Sequence, residues 1–187
     1  NCTGRVIRSN DTVSNVSLYL NLTSLEEGMY FFNATVNDSA GNRNLSLQTR
    51  TVTVDVTFPD IYYGATTDAN NSYVRRNFTI VNITTTEANV ANVTIYILNS
   101  SGIVNQTTLT ALPYVVNVTD LRDDVYFFNA TLIDVANNAN SSVLTRTVTI
   151  DTRVPNATYA SNTDVDGGNL TRGFVIVNIS AADFFGV

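Results

Sequence analysis

The chain repeats itself, and that fact limits its fold more than any other. Sliding it by 96 residues lays Tyr30-Phe31-Phe32-Asn33-Ala34-Thr35 on Tyr126-Phe127-Phe128-Asn129-Ala130-Thr131, and Thr49-Arg50-Thr51-Val52-Thr53 on Thr145-Arg146-Thr147-Val148-Thr149. From Asn21 to Ala91 this register needs no gap, whereas near the start a shift of 91 fits better and sets Asn1-Cys2-Thr3 on Asn92-Val93-Thr94. The difference falls between Asp11 and Asn21, where a loop absorbs extra length at small entropic cost. A duplicated unit must fold the same way twice, so whatever one copy forms the chain forms again.

Each copy reads as β-structure. Val74 to Thr84, Asn92 to Leu98, Pro113 to Val118, Val125 to Ile133 and Val143 to Ile150 are rich in Val, Ile, Thr, Tyr and Phe, with partial alternation, and Gly, Asn, Asp and Ser separate them. Period-2 geometry puts Tyr30, Phe32, Ala34 and Val36 on one face and Phe31, Asn33, Thr35 and Asn37 on the other. The same alternation sends two of the three aromatic residues in Tyr126-Phe127-Phe128 into a core and leaves Phe127 outside. No stretch carries a helical period. About seven strands per repeat of roughly 95 residues predict an all-β fold of two-sheet sandwiches.

Tyr30-x-Phe32-x-Ala34-x-Val36-x-Asp38-x-Ala40-Gly41-Asn42, followed by Thr51-Val52-Thr53-Val54-Asp55 and Pro59, resembles the last two strands and linker of the Ig-like repeats in prokaryotic, in particular archaeal, cell-surface proteins. The second copy keeps Tyr126, Phe128, Ala130, Asp134, Ala136, Asn138, Asp151, Thr152 and Pro155, with Asn137 in place of the usual Gly. The resemblance implies tandem Ig-like β-sandwich repeats with seams at Pro59 and Pro155. Pro suits a seam, because it fixes φ and stops a ladder. The expected domains are residues 1–58, the C-terminal part of one repeat; 59–154, a complete repeat; and 155–187, the N-terminal part of another, completed by the next subunit or by continuing chain. A half sandwich leaves strand edges and an apolar face open, so it calls for a partner that supplies the missing strands. This architecture also resembles glycosylated pilus and thread subunits of archaea that join by donor-strand complementation.

Nineteen of the 25 asparagines open an Asn-x-Ser/Thr triplet without central Pro. They are Asn1, Asn10, Asn15, Asn21, Asn33, Asn37, Asn44, Asn70, Asn77, Asn82, Asn92, Asn99, Asn105, Asn117, Asn129, Asn140, Asn156, Asn169 and Asn178. With 40 Ser and Thr among 187 residues, chance would supply 25 × 40/187, about 5. Such triplets accept N-linked glycan, which is added outside the cytoplasm on accessible surface. The expectation is therefore an extracellular, cell-surface glycoprotein. Asn21, Asn33, Asn44, Asn117, Asn129 and Asn140 recur at equivalent places in both copies and are the strongest candidates. Asn82 and Asn178 sit in strands apolar on both faces, and are available only if Val81 and Ile83 point inward.

Only 14% of residues are charged, and all ten basic residues are Arg, for a net charge of -6. That balance argues against nucleic acid, which demands a basic footprint. No apolar run reaches membrane-spanning length. No signal peptide opens the sequence; if the chain is secreted, the signal has already been removed, and Asn1 is either a mature start or simply where this stretch of sequence starts. Cys2 is the one cysteine, and it cannot form an intrachain disulfide; it is a small buried residue or an intermolecular link. Without His or Lys, acid–base chemistry is left to carboxylates and Tyr. The pairs Glu26-Glu27 and Asp123-Asp124 lie in turn-like sequence and read as solvated turn charges, so no enzyme is expected. No cofactor is expected beyond covalent glycan. One calcium-like loop, Asp164-Val165-Asp166-Gly167-Gly168-Asn169, offers Asp164, Asp166 and Asn169 as candidate ligands. Asp55, Asp60 and Asp151 at the seams are candidates of the same kind. The functional expectation is a structural subunit of a glycosylated extracellular filament, its beads joined head to tail to copies of itself; the alternative is a stalk segment of an adhesin or surface-layer protein.

Overall fold

The computed structural model describes Tyr19 and residues 21–45, 47–141 and 143–185. These residues are all β, with no helix long and apolar enough to cross a membrane. They divide into two compact units, one up to Asp55 and one from Val56 on.

In the first unit, β1 (Gly28–Phe32) pairs antiparallel with β4 (Arg50–Val54), and β2 (Val36–Asn37) with β3 (Arg43–Asn44). The second unit contains β5 (Tyr62–Tyr63), β6 (Ser72–Val74), β7 (Thr79–Thr84), β8 (Val90–Asn99), β9 (Gly102–Leu109), β10 (Val115–Val118), β11 (Asp124–Asp134), β12 (Ala139–Asn140) and β13 (Arg146–Ile150), then β14 (Asn156–Tyr159) and β15 (Ile179–Ala182). One sheet runs β10-β7-β5; a larger one runs β6-β13-β11-β8-β9, with β12 on β11. Among the described strands only β6 joins its neighbour, β13, in parallel.

Alternation builds the core between these two sheets. Val93, Ile95 and Ile97 of β8 and Tyr126, Phe128, Ala130 and Leu132 of β11 point inward, facing Val81 and Ile83 of β7 and Val116 of β10. Phe127, exposed, is on the outer face of β11, as alternation requires. Across the core the Tyr63 ring meets the Phe128 ring edge-on at 5.7 Å, and the Tyr63 hydroxyl donates to the Phe128 carbonyl at 2.9 Å. At the entry to β11 the Tyr126 hydroxyl donates to the Arg122 carbonyl, four residues back, at 3.0 Å. Tyr30 does the same to the Glu26 carbonyl at 2.7 Å.

Pairing registers recur 96 residues apart. Tyr30 faces Val52 as Tyr126 faces Val148, and Thr158 faces Ser180 as Tyr62 faces Thr84. The hairpin after β2 and its counterpart in β11 close on an aspartate: Asp38 accepts from the Asn42 backbone N–H at 2.7 Å and side chain at 2.6 Å, and Asp134 accepts from the same groups of Asn138 at 2.8 and 2.9 Å. Both turns need a left-handed residue, Gly41 at φ 88° and Asn137 at φ 71°. Asn tolerates that region better than other side chains, so the departure from Gly leaves the turn intact.

Two strand assignments differ from expectation. Val74 to Thr84 reads as one strand, but the chain bends after Val74 and β6 and β7 join different sheets. Arg76 lies in the bend, stacking on the Phe78 ring and pairing with Asp68, contacts that no periodicity encodes. β9 was not expected at all. Its Gly-Ile-Val-Asn-Gln-Thr-Thr-Leu sequence lacks a clean alternation, because it is an edge strand with a bulge.

Candidate functional site

The largest asymmetry in the molecule is between equivalent positions. Phe128 is 0% exposed and its counterpart Phe32 52%; Val148 is 0% and Val52 47%; Val81 is 0% and Val177 62%; Ile83 is 1% and Ile179 60%. The face carrying Tyr30, Phe32 and Val36 therefore reaches solvent in the first unit, although the equivalent face is the core of the central sandwich. Among the described residues β14 and β15 pair only with each other. Their piece nonetheless keeps the local bonds of its counterpart: the Asn178 carbonyl accepts from Ala160 N and Thr163 Oγ1 just as the Asn82 carbonyl accepts from Gly64 N and Thr67 Oγ1.

The sequons separate by geometry. Asn1, Asn10 and Asn15 lie outside the described residues. Asn21, Asn33, Asn37, Asn44, Asn70, Asn77, Asn117, Asn156, Asn169 and Asn178 are exposed, while Asn82, Asn92, Asn99, Asn105, Asn129 and Asn140 are half-buried. Asn129 stands on the outer face of β11 between inward Phe128 and Ala130, and its Nδ2 reaches Thr145 Oγ1 at 3.4 Å. Asn33 repeats that contact with Thr49 at 3.2 Å. Val81 and Ile83 do point inward, so Asn82 points out. Its amide is covered all the same: Nδ2 donates to Thr66 Oγ1 at 3.0 Å and lies 2.5 Å from where a Cβ on Gly64 would stand. Asn140 is drawn in by a 2.7 Å bond from Nδ2 to the Pro59 carbonyl. Asn99 uses both ends of its amide, on Asp124 Oδ2 at 3.0 Å and on Ser101 N at 2.9 Å.

The acids have structural partners. Asp123 is not a solvated turn charge: its side chain is 9% exposed, it accepts from Thr152 Oγ1 at 2.7 Å and Thr152 N at 3.0 Å, and Arg153 Nε pairs with it at 3.0 Å. The Thr152 hydroxyl and N–H, helped by Arg153, hold its carboxyl below the usual range. Arg153 also lies over the Phe184 ring. Asp124 accepts from Asn99 and Val125, again within the fold. Asp60 takes the hydroxyls of Thr86 and Thr85 and the Thr86 N–H, which pull its carboxyl down to about 2. Burial works against the charge of Asp134, but the Asn138 side chain and the surrounding N–H groups outweigh it and lower the pKa.

Of the calcium candidates, Asp164 pairs with Arg172 and accepts from Ile176 N at 2.7 Å. Asp68 makes the equivalent pair with Arg76 where the sequence has no Asp/Gly loop, so this aspartate has a role common to both copies. Asp166 and Asn169 are in the intervening turn, where Gly167 takes φ 69°. No group of three or more His, Cys, Asp or Glu suited to a metal occurs among the described residues.

No protein-family model matches the chain, and no curated protein matches it. Among solved structures, a crystal structure of an engineered protein at 1.98 Å is similar over 50% of this chain and 20% of that one, with 17% identity and a TM-score of 0.40. The chain thus spans about a fifth of that neighbour's length. The all-β assignment rests on the strands themselves.

Proposed function

We propose that this chain is a structural segment of an extracellular, heavily N-glycosylated filament, built of Ig-like beads whose ends complete one another. The observation that carries the proposal is the complementary exposure of the two flanking pieces. One carries the counterparts of β11 and β13 with their inner face open; the other carries the counterparts of β5 and β7 with theirs open. In the central sandwich those same faces bury each other. Each piece therefore fits the other across successive beads, a head-to-tail contact that propagates in a line. The Ig-like reading draws further support from the tyrosine hydroxyl bonds at Tyr126 and Tyr30, which repeat the tyrosine corner of Ig-type sandwiches. The sequon excess supports the sugar coat, which supplies hydration that so few charges do not.

Electrophoresis of assembled material tests this. A ladder that collapses on boiling in denaturant to one band, near the 20.4 kDa chain plus its glycan, supports complementation between subunits. One very large band that survives boiling supports a covalent array of the same beads. Only single chains before boiling, at concentrations well above micromolar, overturns the filament. Enzymatic or chemical deglycosylation that leaves the mass unchanged overturns the coat.

A further inference from the structure

We infer that N-linked glycans on Asn105 and Asn117 together close the open long edge of the central sandwich. This rests on the reading of the chain as an N-glycosylated extracellular protein. β9 ends the larger sheet and β10 ends the smaller one, and residues of both line one groove, so the two ladders stop side by side. At the opposite side the last strands are β5 and β6, two and three residues long, too short to template a neighbour. β9 is eight residues long and has no charge and no Pro. Ile103 and Val104 are exposed on it. A bulge at Val104, where Ile97 faces Asn105 and Leu98 faces Ile103, is its only backbone defence. Soluble proteins protect an edge of this length with charge, Pro or a cover, and the described residues provide none of the three.

What they do provide is a pair of sequons. An open groove of about 480 Å³ runs between β9 and β10, lined by Asn105 and Thr107 from β9 and by Val115 to Thr119 along β10. By the pairing registers Asn105 and Thr107 stand on the inner face of β9, opposite Ile97 and Ile95, and Asn117 stands on the outer face of β10, opposite Ile80, so the two sequons border the groove from its two strands, each on the same face as its own hydroxyl residue. Thr107 Oγ1 donates to Asn105 Oδ1 at 2.8 Å. That bond turns the amide while leaving Nδ2, the atom that takes the sugar, without a hydrogen-bond partner among the described residues. Asn117 is exposed, and its side chain makes no hydrogen bond among the described residues. At each site Nδ2 would bond to the anomeric carbon of an oligosaccharide carried on a lipid phosphate. The sugar–phosphate bond breaks with its electron pair going to the phosphate, and the amide loses one proton. Two sugars rooted in the walls of one groove cover both edges at once, where a single sequon would cover one.

Glycopeptide mass spectrometry of the chain secreted from an N-glycosylating cell reads the occupancy. Asn105 and Asn117 are expected to be sugared in the same molecules. The double variant Asn105→Gln/Asn117→Gln should then bundle sideways at least tenfold more than the parent, by turbidity and by fibre width in electron micrographs. Thr107→Ala/Thr119→Ala removes the same two triplets while keeping both asparagines, and should match it. Asn77→Gln/Asn156→Gln, at exposed sequons elsewhere, should not. Bare Asn105 or Asn117 on a chain whose other sequons are sugared overturns the inference and leaves the coat standing. Full occupancy with no rise in bundling for either double variant overturns the sealing role. A chain bare at every sequon overturns the coat, and the inference with it.

Discussion

Replacing Phe32 by Ala should cost little in the isolated chain and much in the assembled one, whereas replacing Phe128 should cost the same in both. Phe128 is fully buried against Tyr63, so Phe128→Ala removes a complete aromatic side chain from a packed core, a loss of about 3–5 kcal/mol. Phe32 occupies the equivalent place but is 52% exposed, so truncation in the isolated chain forfeits about half the burial, roughly 1–2 kcal/mol. If a neighbouring bead covers that face, the penalty in the filament rises to the Phe128 value. The difference, about 2–3 kcal/mol, corresponds to a critical concentration for assembly roughly 30- to 140-fold higher. Urea melts followed by Tyr fluorescence read the isolated chain, and sedimentation of the assembled fraction against total protein reads the critical concentration. An unchanged critical concentration for Phe32→Ala would show that no neighbouring bead covers that face. So would an isolated chain destabilised by Phe32→Ala as severely as by Phe128→Ala.

Acid should weaken the fold in a defined window. The Asp60 carboxyl has a pKa of about 2 when folded, below its ordinary 3.8, so the unfolded chain takes up the proton first. Its contribution is complete above about pH 4 and is lost as pH falls toward 2; Tm should be level down to about 4 and decline below, with a shallower decline for Asp60→Asn. Asn137→Ala should lower stability by about 1 kcal/mol, because Ala takes φ 71° poorly, and Asn137→Gly should not, as urea melts will show. A chelator should leave Tm unchanged, since the Asp164 oxygens are engaged by Arg172 and Ile176; a fall of several degrees would restore the calcium reading.

The repeat was legible because it is written in strands. Tyr126, Phe128 and Ala130 alternate with Phe127 and Asn129, and the inward set is the core. The tie between Tyr126 and the Arg122 carbonyl was not read, since an i−4 bond from a hydroxyl leaves no periodic trace. Nor was the use of Asp60 by Thr85 and Thr86, which are 25 and 26 residues away and meet it only once β5 and β7 have paired. Asn140 shows the limit on site prediction most plainly. Its triplet is as good as that of Asn117, yet its amide reaches the Pro59 carbonyl 81 residues away, a partner set by the fold.

If the open faces of successive beads complete each other in the register of the central sandwich, a pair of cysteines will link them. In that sandwich Val118 pairs with Thr79, whose counterparts are Leu22 and Val175. In a Cys2→Ser background, Leu22→Cys combined with Val175→Cys brings two thiols to facing positions of an antiparallel pair, within disulfide reach. Oxidised filaments should run on non-reducing gels as a ladder of cross-linked multimers that reduction abolishes. Filaments that form but stay uncross-linked, or a disulfide found only within single chains, would contradict the account.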